Sequence, residues 1–317
     1  MQSRALGRSG LSIKPLVFGG NVFGWTADEA TSFKLLDAFV DAGFDAIDTA
    51  DVYSAWAPGN SGGESETIIG RWLARDPSKR DKVTIITKVG SDMGEGRKGL
   101  APDYIRQAAD ASLKRLQTDR IDLYLSHWPD PQTPYEATLR AYEDLKSAGK
   151  IRALGASNLD AGQLRASLDA ARDHGLPRYE VLQPEYNLYD RAAFDGPLQE
   201  LCLAEEIGVI TYFSLASGFL SGKYRSEADF GKSTRGGKMG AYLNPRGLRI
   251  LAALDEVAAR HGAKPAEIAI AWVMAAPGVT APIASATSLD QLQSLSRAAA
   301  IELSAEDKAA LDEASRP

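Results

Sequence analysis

Polar side chains of complementary chemistry follow several apolar, strand-like segments of this sequence. Asp48 closes one such segment, and the phenol of Tyr53 follows five residues later. Lys88 and His127 stand at the ends of two later segments. A phenol ionises near pH 10, so it is a competent neutral acid, and a nearby ammonium group favours its phenolate. This set of four groups predicts proton transfer by a tyrosine.

The four residues take different roles in this interpretation. Tyr53 moves the proton, Lys88 favours the phenolate, and Asp48 pairs with Lys88 and keeps it charged where water is excluded. His127 donates or accepts a hydrogen bond at the reacting oxygen. Simpler alternatives remain at this point: a helix cap for Asp48, a surface charge with a buried stem for Lys88, and a packed imidazole for His127.

Alternating strand-like and helix-like segments must position these groups. Strands are predicted to begin near Leu16, Phe44, Val83, Ile121, Ala153, Tyr179, Val209 and Thr280, each followed by a helix. Eight such units close a (β/α)8 TIM barrel, whose chemistry lies at the carboxyl ends of the strands. An open doubly wound sheet is disfavoured because residues 19–24 do not match the G-x-G-x-x-G fingerprint. We predict an α/β fold in which residues 1–317 form a single barrel domain.

Three segments are predicted to lie outside the eight strand–helix units of the barrel. Residues 4–6 and 11–13 flank a glycine-bearing turn, which predicts an N-terminal β-hairpin. The glycine-rich stretch 221–240 is too long for an ordinary connection, which predicts a flap rather than a linker. Two extra helices are predicted between residues 245 and 276.

Composition and charge restrict the partners. The formal net charge is −6 and no long basic run occurs, which argues against nucleic acid or an anionic membrane as a partner. Neither an apolar signal core nor a membrane-spanning run of about 18 residues is present, so we expect a cytoplasmic protein. With Cys202 as the single cysteine and three histidines, soft ligands are too few for structural zinc, and no metal site is predicted.

Five motifs spread over the chain carry a family resemblance. They are found at residues 43–53, 85–88, 112–124, 127–130 and 155–158. Together they resemble the aldo-keto reductase family, in a branch near bacterial aldo/keto reductases and potassium-channel β subunits. The resemblance implies an NAD(P)H-dependent reduction of an aldehyde or ketone by hydride transfer, with Tyr53 as general acid, Lys88 and Asp48 tuning it, and His127 orienting the carbonyl. The alternative is a cofactor-binding regulatory subunit similar to the channel β subunits, which commonly lack the histidine.

The same resemblance implies which residues hold the cofactor. Ser157, Asn158 and Gln183 match residues that hold the nicotinamide carboxamide, and Tyr212 matches the aromatic side chain that stacks on its ring. The other cofactor-binding candidates are Gly20, Asn21, Phe213, Ser214, Leu215, Ser217, Gly218, Lys223, Arg235, Ser285, Thr287, Ser288 and Gln291. Residues 283–292 contain hydroxyl and amide groups but no Lys or Arg for a 2′-phosphate. NADP(H) is nevertheless favoured, with NAD(H) as the alternative.

The sequence says least about which residues contact the substrate. Trp25, Trp56 and Trp128 are predicted to line an apolar pocket above the nicotinamide, with ordinary packing as the alternative. Trp128 is the strongest candidate because it adjoins His127. The expected partner is a small-molecule carbonyl compound, and the resemblance leaves a homo-oligomer open.

Overall fold

Ten short strands form two sheets in the computed structural model of the protein, which describes residues 1–316. They are β1 (Arg4–Ala5), β2 (Ser12–Ile13), β3 (Val17–Gly19), β4 (Ala46–Asp48), β5 (Thr84–Val89), β6 (Ile121–Ser126), β7 (Ile151–Ser157), β8 (Val181–Gln183), β9 (Gly208–Thr211) and β10 (Val279–Ala284). Strands β3 to β10 pair in parallel in chain order, and β10 closes the barrel on β3. Each barrel strand begins within two residues of its predicted start.

Ten α-helices within residues 1–316 cover the barrel. They are α1 (Glu29–Asp41), α2 (Glu64–Arg75), α3 (Pro102–Leu116), α4 (Tyr135–Ser147), α5 (Ala161–His174), α6 (Pro197–Ala204), α7 (Pro245–His261), α8 (Pro265–Ala275), α9 (Leu289–Ala298) and α10 (Ala305–Ser315). One α-helix follows each of the strands β3 to β8, whereas β9 is followed by α7 and α8 and β10 by α9 and α10. Helices α7 and α8 are the two predicted between residues 245 and 276. The fold is therefore the (β/α)8 TIM barrel expected from the sequence. None of these helices is long and apolar enough to cross a membrane.

The N-terminal hairpin closes one end of the barrel. Strands β1 and β2 pair antiparallel, as predicted. Leu6, Leu11 and Ile13 join the apolar core inside the barrel. A Cβ atom at Gly7, where φ is +58°, would lie 2.4 Å from the nitrogen of Gly208 at the start of β9. The hairpin thus packs directly on the amino-terminal end of the strands, and the opposite end is left for a site.

Side-chain alternation along the strands aims the polar residues inward. On β4, Ala46 belongs to the core inside the barrel, whereas Ile47 belongs to the core shared with the helices. Successive side chains of a strand point to opposite faces, so Asp48 faces the interior at the carboxyl end. The same alternation turns Lys88 at the end of β5 and His127 after β6 toward the same space.

The stretch predicted as a flap, residues 221–240, is folded into short 3-10 helices. Tyr224 is fully buried, and its hydroxyl lies 2.6 Å from Ser233 Oγ. The guanidinium of Arg225 donates to both carboxylate oxygens of Asp255 on α7, at 2.8 and 2.9 Å. These contacts hold the stretch over the carboxyl end of the barrel.

Candidate active site

The Lys88 ammonium connects the predicted acid and the predicted phenol. Its Nζ lies 2.8 Å from Asp48 Oδ2, 2.8 Å from the Thr49 carbonyl oxygen and 3.0 Å from the Tyr53 hydroxyl oxygen. These three acceptors match the three N–H donors of an ammonium group. Lys88 is fully buried, so the alternative of a surface charge is excluded. Because the Tyr53 oxygen accepts from Lys88, its own proton remains available for a ligand.

Asp48 is engaged on both of its oxygens. Oδ2 accepts from Lys88, and Oδ1 accepts from the Gln183 side-chain amide at 2.8 Å. The Tyr53 hydroxyl is 3.5 Å from Oδ2, which is long for a hydrogen bond between oxygens. No helix-capping hydrogen bond is made by Asp48 within residues 1–316. Its role is therefore to hold Lys88 and Gln183.

Burial is the largest cause of the pKa shifts of Asp48, Lys88 and Tyr53. Burial raises the pKa of Asp48 and lowers the pKa of Lys88, and the attraction between the two charges opposes both shifts. Burial first, and then the charge of Asp48, raises the pKa of Tyr53 well above its ordinary value. The expected lowering of the phenol pKa by Lys88 is thus outweighed. At neutral pH Tyr53 keeps its proton, which suits an acid.

The His127 ring lies beside the phenol. The centroids of the Tyr53 and His127 rings are 6.0 Å apart. Burial, followed by the charge of Lys88, holds the pKa of His127 well below its ordinary value, so the imidazole is neutral. His127 Nδ1 lies 2.9 Å from Ser91 Oγ, whereas Nε2 has no hydrogen-bond partner within residues 1–316. Nε2 is therefore free to meet a ligand. Ser91 was not predicted as a site residue.

A cleft of about 620 Å³ opens beside Tyr53 at the carboxyl end of the barrel. This volume is typical of small-molecule sites. The predicted residues that line it are Asn21, Asp48, Tyr53, Tyr212, Phe213, Ser214, Leu215, Ser217, Gly218, Lys223, Arg235, Ser285, Thr287 and Gln291. Most of the predicted cofactor residues thus share one cleft with the phenol.

Backbone conformation after β9 suits an anionic ligand. Phe213, Ala216 and Ser217 have φ values of 53°, 47° and 55°, and Gly218 has φ 103°. Left-handed residues that are not glycine are strained, and such strain clusters at ligand sites. Successive turns of this kind direct N–H groups into a concavity that accepts anions. The Ser214 hydroxyl donates to the Ile283 carbonyl oxygen at 3.0 Å and so ties this loop to β10.

Basic side chains surround the cleft. Lys223, Lys232, Arg235 and Lys264 all line it. Lys232 contacts Asp229 at 2.7 Å, whereas the other three have no acidic partner within residues 1–316. Burial lowers the pKa of Arg235, whose guanidinium lies over the Trp25 ring at 5.3 Å. The donor set of strained backbone, hydroxyls and cations fits a phosphate-bearing nicotinamide cofactor.

Lys264 is a basic residue of the cleft that was not predicted from the sequence. It immediately precedes α8 and lines the cleft together with Thr287 and Gln291. The Thr287 backbone N–H and hydroxyl both donate to Gln291 Oε1, at 2.9 and 3.2 Å. Sequence reasoning missed Lys264 because it lies 19 residues before the segment 283–292, and no local pattern marks it. Ser233, Thr234, Asp290 and Ser294 also line the cleft without having been predicted.

Five of the predicted cofactor residues do not line this cleft. They are Gly20, Ser157, Asn158, Gln183 and Ser288. The Ser157 hydroxyl donates to the Gln183 carbonyl oxygen at 2.7 Å. Asn158 donates from Nδ2 to the His127 carbonyl oxygen at 2.9 Å and accepts the Tyr212 hydroxyl on Oδ1 at 2.7 Å. These three residues therefore link the catalytic cluster to Tyr212, which does line the cleft.

The two remaining residues of that group support the backbone. A Cβ atom at Gly20 would lie 2.9 Å from the Asp48 carbonyl oxygen, so glycine allows the close approach of this segment to β4. Ser288 caps α9 and accepts from the Gln291 backbone N–H at 3.3 Å. Their predicted roles in cofactor binding remain predictions.

The three predicted pocket tryptophans, Trp25, Trp56 and Trp128, do not line the cleft, and only Trp56 contacts Tyr53 directly. The Trp56 ring packs edge-on against both Tyr53 and Trp25, with centroid distances of 5.8 Å in each case. The Trp128 ring stacks on His127 at 5.8 Å. Trp56 is 47% exposed and Trp128 is 49% exposed. Large aromatic surfaces left open beside Tyr53 and His127 are suited to binding an apolar ligand.

Metal ligands do not converge elsewhere in the part of the chain that the structure describes. No group of three or more His, Cys, Asp and Glu side chains within residues 1–316 is arranged to hold a metal ion. Cys202 is buried in the core.

Comparison with known families agrees with this geometry. The profile described as "Aldo/keto reductase family" matches residues 15–316. The chain belongs to the aldo/keto reductase family. It is 33% identical to Protein tas of Escherichia coli (strain K12), over 96% of this chain and 94% of that protein. It is 34% identical to the aldo-keto reductase YhdN of Bacillus subtilis (strain 168), over 92% of this chain and 85% of that protein.

Another relative of this aldo/keto reductase is named as a channel subunit and not as a reductase. The chain is 33% identical to a probable voltage-gated potassium channel subunit beta of Arabidopsis thaliana, over 92% of this chain and 89% of that protein. Family membership supports an oxidoreductase that uses a nicotinamide cofactor. Both branches anticipated from the sequence are thus represented among the relatives.

Proposed function

We propose that this protein is an NADP(H)-dependent carbonyl reductase that converts an aldehyde or ketone to the alcohol, with Tyr53 as general acid. The observation that carries the proposal is the position of Lys88 Nζ, 2.8 Å from Asp48 Oδ2 and 3.0 Å from the Tyr53 hydroxyl. This contact lies at the wall of a cleft rich in basic side chains. A half-buried phenol with an ammonium at its oxygen is suited to donate a proton and to tolerate the phenolate that remains.

The reaction divides between cofactor and protein. The reduced nicotinamide supplies the hydride to the carbonyl carbon when it is bound. Tyr53 donates its proton to the carbonyl oxygen, and Lys88 stabilises the phenolate. Asp48 keeps Lys88 in place, and His127 Nε2 holds the carbonyl oxygen near the phenol.

The choice of NADP(H) rests on charge. A 2′-phosphate adds a second anionic group at the adenosine end of the cofactor. Lys264, Thr287 and Gln291, which all line the cleft, offer an ammonium, a hydroxyl and an amide. Lys223 and Arg235 are free to neutralise the pyrophosphate, since neither pairs with an acid within residues 1–316. Lys264 thereby replaces the cation that residues 283–292 lack.

The proposed substrate class is an aromatic or otherwise apolar carbonyl compound. Trp56 presents an exposed ring beside Tyr53, and Trp128 presents one beside His127. Aromatic surfaces stack on planar apolar ligands and exclude water from the reacting oxygen.

The test combines binding with turnover. NADPH and NADH are titrated into the purified protein by calorimetry, and NADPH oxidation is then followed with benzaldehyde, substituted benzaldehydes and short aliphatic aldehydes. We expect tighter binding of NADPH than NADH and faster turnover of the aromatic compounds. Stoichiometric NADPH binding without turnover of any carbonyl compound would overturn the enzyme proposal. That outcome would favour a cofactor-binding regulatory subunit, the kind of protein named in the Arabidopsis relative.

A further inference from the structure

Ser91 is a buried hydroxyl that has no part in the scheme above. Strand β5 delivers Lys88, and the chain then turns at Gly90, where φ is +114°. This turn, which favours glycine, brings Ser91 beside His127, which follows the neighbouring strand β6, with Oγ 2.9 Å from Nδ1. Ser91 is 7% exposed and His127 is 9% exposed, so the contact is shielded from water.

The direction of this hydrogen bond follows from the available partners. A neutral imidazole carries one N–H group, on either Nδ1 or Nε2. If Nδ1 carried the proton, it would donate to Ser91 Oγ, and the Ser91 proton would then have no acceptor within residues 1–316. If Nδ1 is bare, it accepts the Ser91 proton, and the donor left without a protein partner is Nε2–H, which is not sealed from solvent. Leaving a buried donor unpaired is unfavourable, so the second arrangement prevails.

We propose that Ser91 donates to His127 Nδ1 and thereby fixes His127 as the Nε2–H tautomer. Nε2 of His127 is then a hydrogen-bond donor, not an acceptor, beside the Tyr53 ring. Nε2 has no protein partner within residues 1–316, and it is not among the side-chain atoms that are both sealed from solvent and unpaired. Ser91 acts only through His127 and is a positioning residue.

The consequence for catalysis rests on the proposed function. A carbonyl oxygen has two lone pairs and can accept two hydrogen bonds. Tyr53 supplies one donor, and the Nε2–H tautomer supplies the second. The opposite tautomer would point a lone pair at the carbonyl oxygen and repel it. Ser91 therefore decides whether His127 helps or hinders the approach of the substrate.

The tautomer is measured directly by nitrogen NMR. Long-range proton–nitrogen spectra of protein labelled with ¹⁵N-histidine distinguish a protonated ring nitrogen from a bare one. The chain has three histidines, so His174→Gln and His261→Gln assign the His127 signals by elimination. We expect His127 to show a protonated Nε2 and a bare Nδ1 in the wild-type protein. A protonated Nδ1 would overturn the proposal.

Variants separate positioning from structural support. In Ser91→Ala we expect the His127 nitrogen signals to show either a mixture of the two tautomers or a proton moved to Nδ1. We expect kcat/KM to fall about tenfold and the NADPH dissociation constant to stay unchanged. Ser91→Thr keeps the hydroxyl and should restore the signals and part of the activity. Ser147→Ala, on an exposed helix end, is the matched control. Unchanged His127 signals in Ser91→Ala would also refute the role of Ser91.

The spectrum does not depend on turnover. A protein that proves inactive toward carbonyl compounds but shows the Nε2–H tautomer would refute the proposed function and leave the Ser91 inference standing. The wild-type spectrum decides the tautomer even if Ser91→Ala fails to fold.

Discussion

Gln183 donates a hydrogen bond from its side-chain amide to Asp48 Oδ1 at 2.8 Å, although 135 residues separate them in the chain. With Lys88 on Oδ2, both oxygens of Asp48 are taken by protein donors. Asp48 is thereby directed at Lys88 and away from a substrate. Gln183 keeps its Oε1 free of partners within residues 1–316, so its predicted contact with a carboxamide remains available.

Tyr53→Phe tests the general acid. Removal of the hydroxyl leaves the ring packing against Trp56 but removes the proton, so reduction of a benzaldehyde should fall by about 10²- to 10⁴-fold. The NADPH dissociation constant should change less than about twofold. Steady-state kinetics and calorimetry measure the two quantities. Tyr135→Phe, at the start of α4 and outside the cleft, is the control. Activity within a few-fold of wild type would remove Tyr53 from its role.

Lys264→Ala tests cofactor selection. Lys264 is exposed at the edge of the cleft, so loss of its charge should weaken NADPH binding by about fivefold, the size expected for an exposed ion pair. NADH binding should not change, because NADH lacks the 2′-phosphate. Calorimetric titration with both cofactors gives the ratio. Lys146→Ala, exposed on α4, serves as the control. An equal loss for both cofactors would assign Lys264 to some other part of the cofactor.

The pH dependence of reduction follows from Tyr53 and His127. The proton donor must be protonated, and its pKa is raised well above the ordinary value, so the loss of activity at high pH is displaced upward. His127 must be neutral, and its pKa is held well below the ordinary value, so the loss at low pH is displaced downward. We expect a flat kcat/KM from about pH 6 to 9. The same pH series is measured with NADH, because NADH has no 2′-phosphate that would titrate near pH 6. An inflection near pH 6.5 with NADH, lost in His127→Asn, would contradict this expectation.

Asp51 predicts a pH-dependent stability. Neither of its carboxylate oxygens has a hydrogen-bond partner within residues 1–316. Burial, and then the charge of Glu66, raises the pKa of Asp51 to about 8. An unfolded Asp ionises near pH 4, so the folded protein binds one more proton between these two values. The free energy of unfolding therefore falls as pH rises from about 4 to 8, by up to about 1.4 kcal/mol per pH unit.

Asp51→Asn should remove that dependence. The amide matches the shape of the protonated acid and cannot ionise, so the variant should gain stability over wild type progressively as pH rises through this window. Urea unfolding at several pH values measures the difference. Asp119→Asn, whose side chain is 86% exposed, should leave the pH dependence unchanged. Parallel stability curves for Asp51→Asn and wild type would show that Asp51 is already ionised when folded.

Much of the site was predictable because it depends on local periodicity. Alternating strands and helices indicate the barrel, and the carboxyl ends of parallel strands meet at one mouth. The two-residue period of a strand then determines that Asp48, Lys88 and His127 point inward together. No knowledge of loop conformation is needed for these conclusions.

The remaining features depended on how separate segments pack. The pKa of Tyr53 is one such feature. The sign of its shift depends on burial and on differences of a few tenths of an ångström in the distances to Asp48 and Lys88, which residue types do not encode. Lys264 lines the same cleft as Gln291 of α9 because α8 packs against α9, and Ser91 reaches His127 because the chain turns at Gly90. The sequence by itself determined the barrel and the four groups at its mouth, through short-range periodicity. Only the tertiary structure decided which cation and which hydroxyl join them, because those contacts depend on loop geometry and helix packing between residues far apart in the chain.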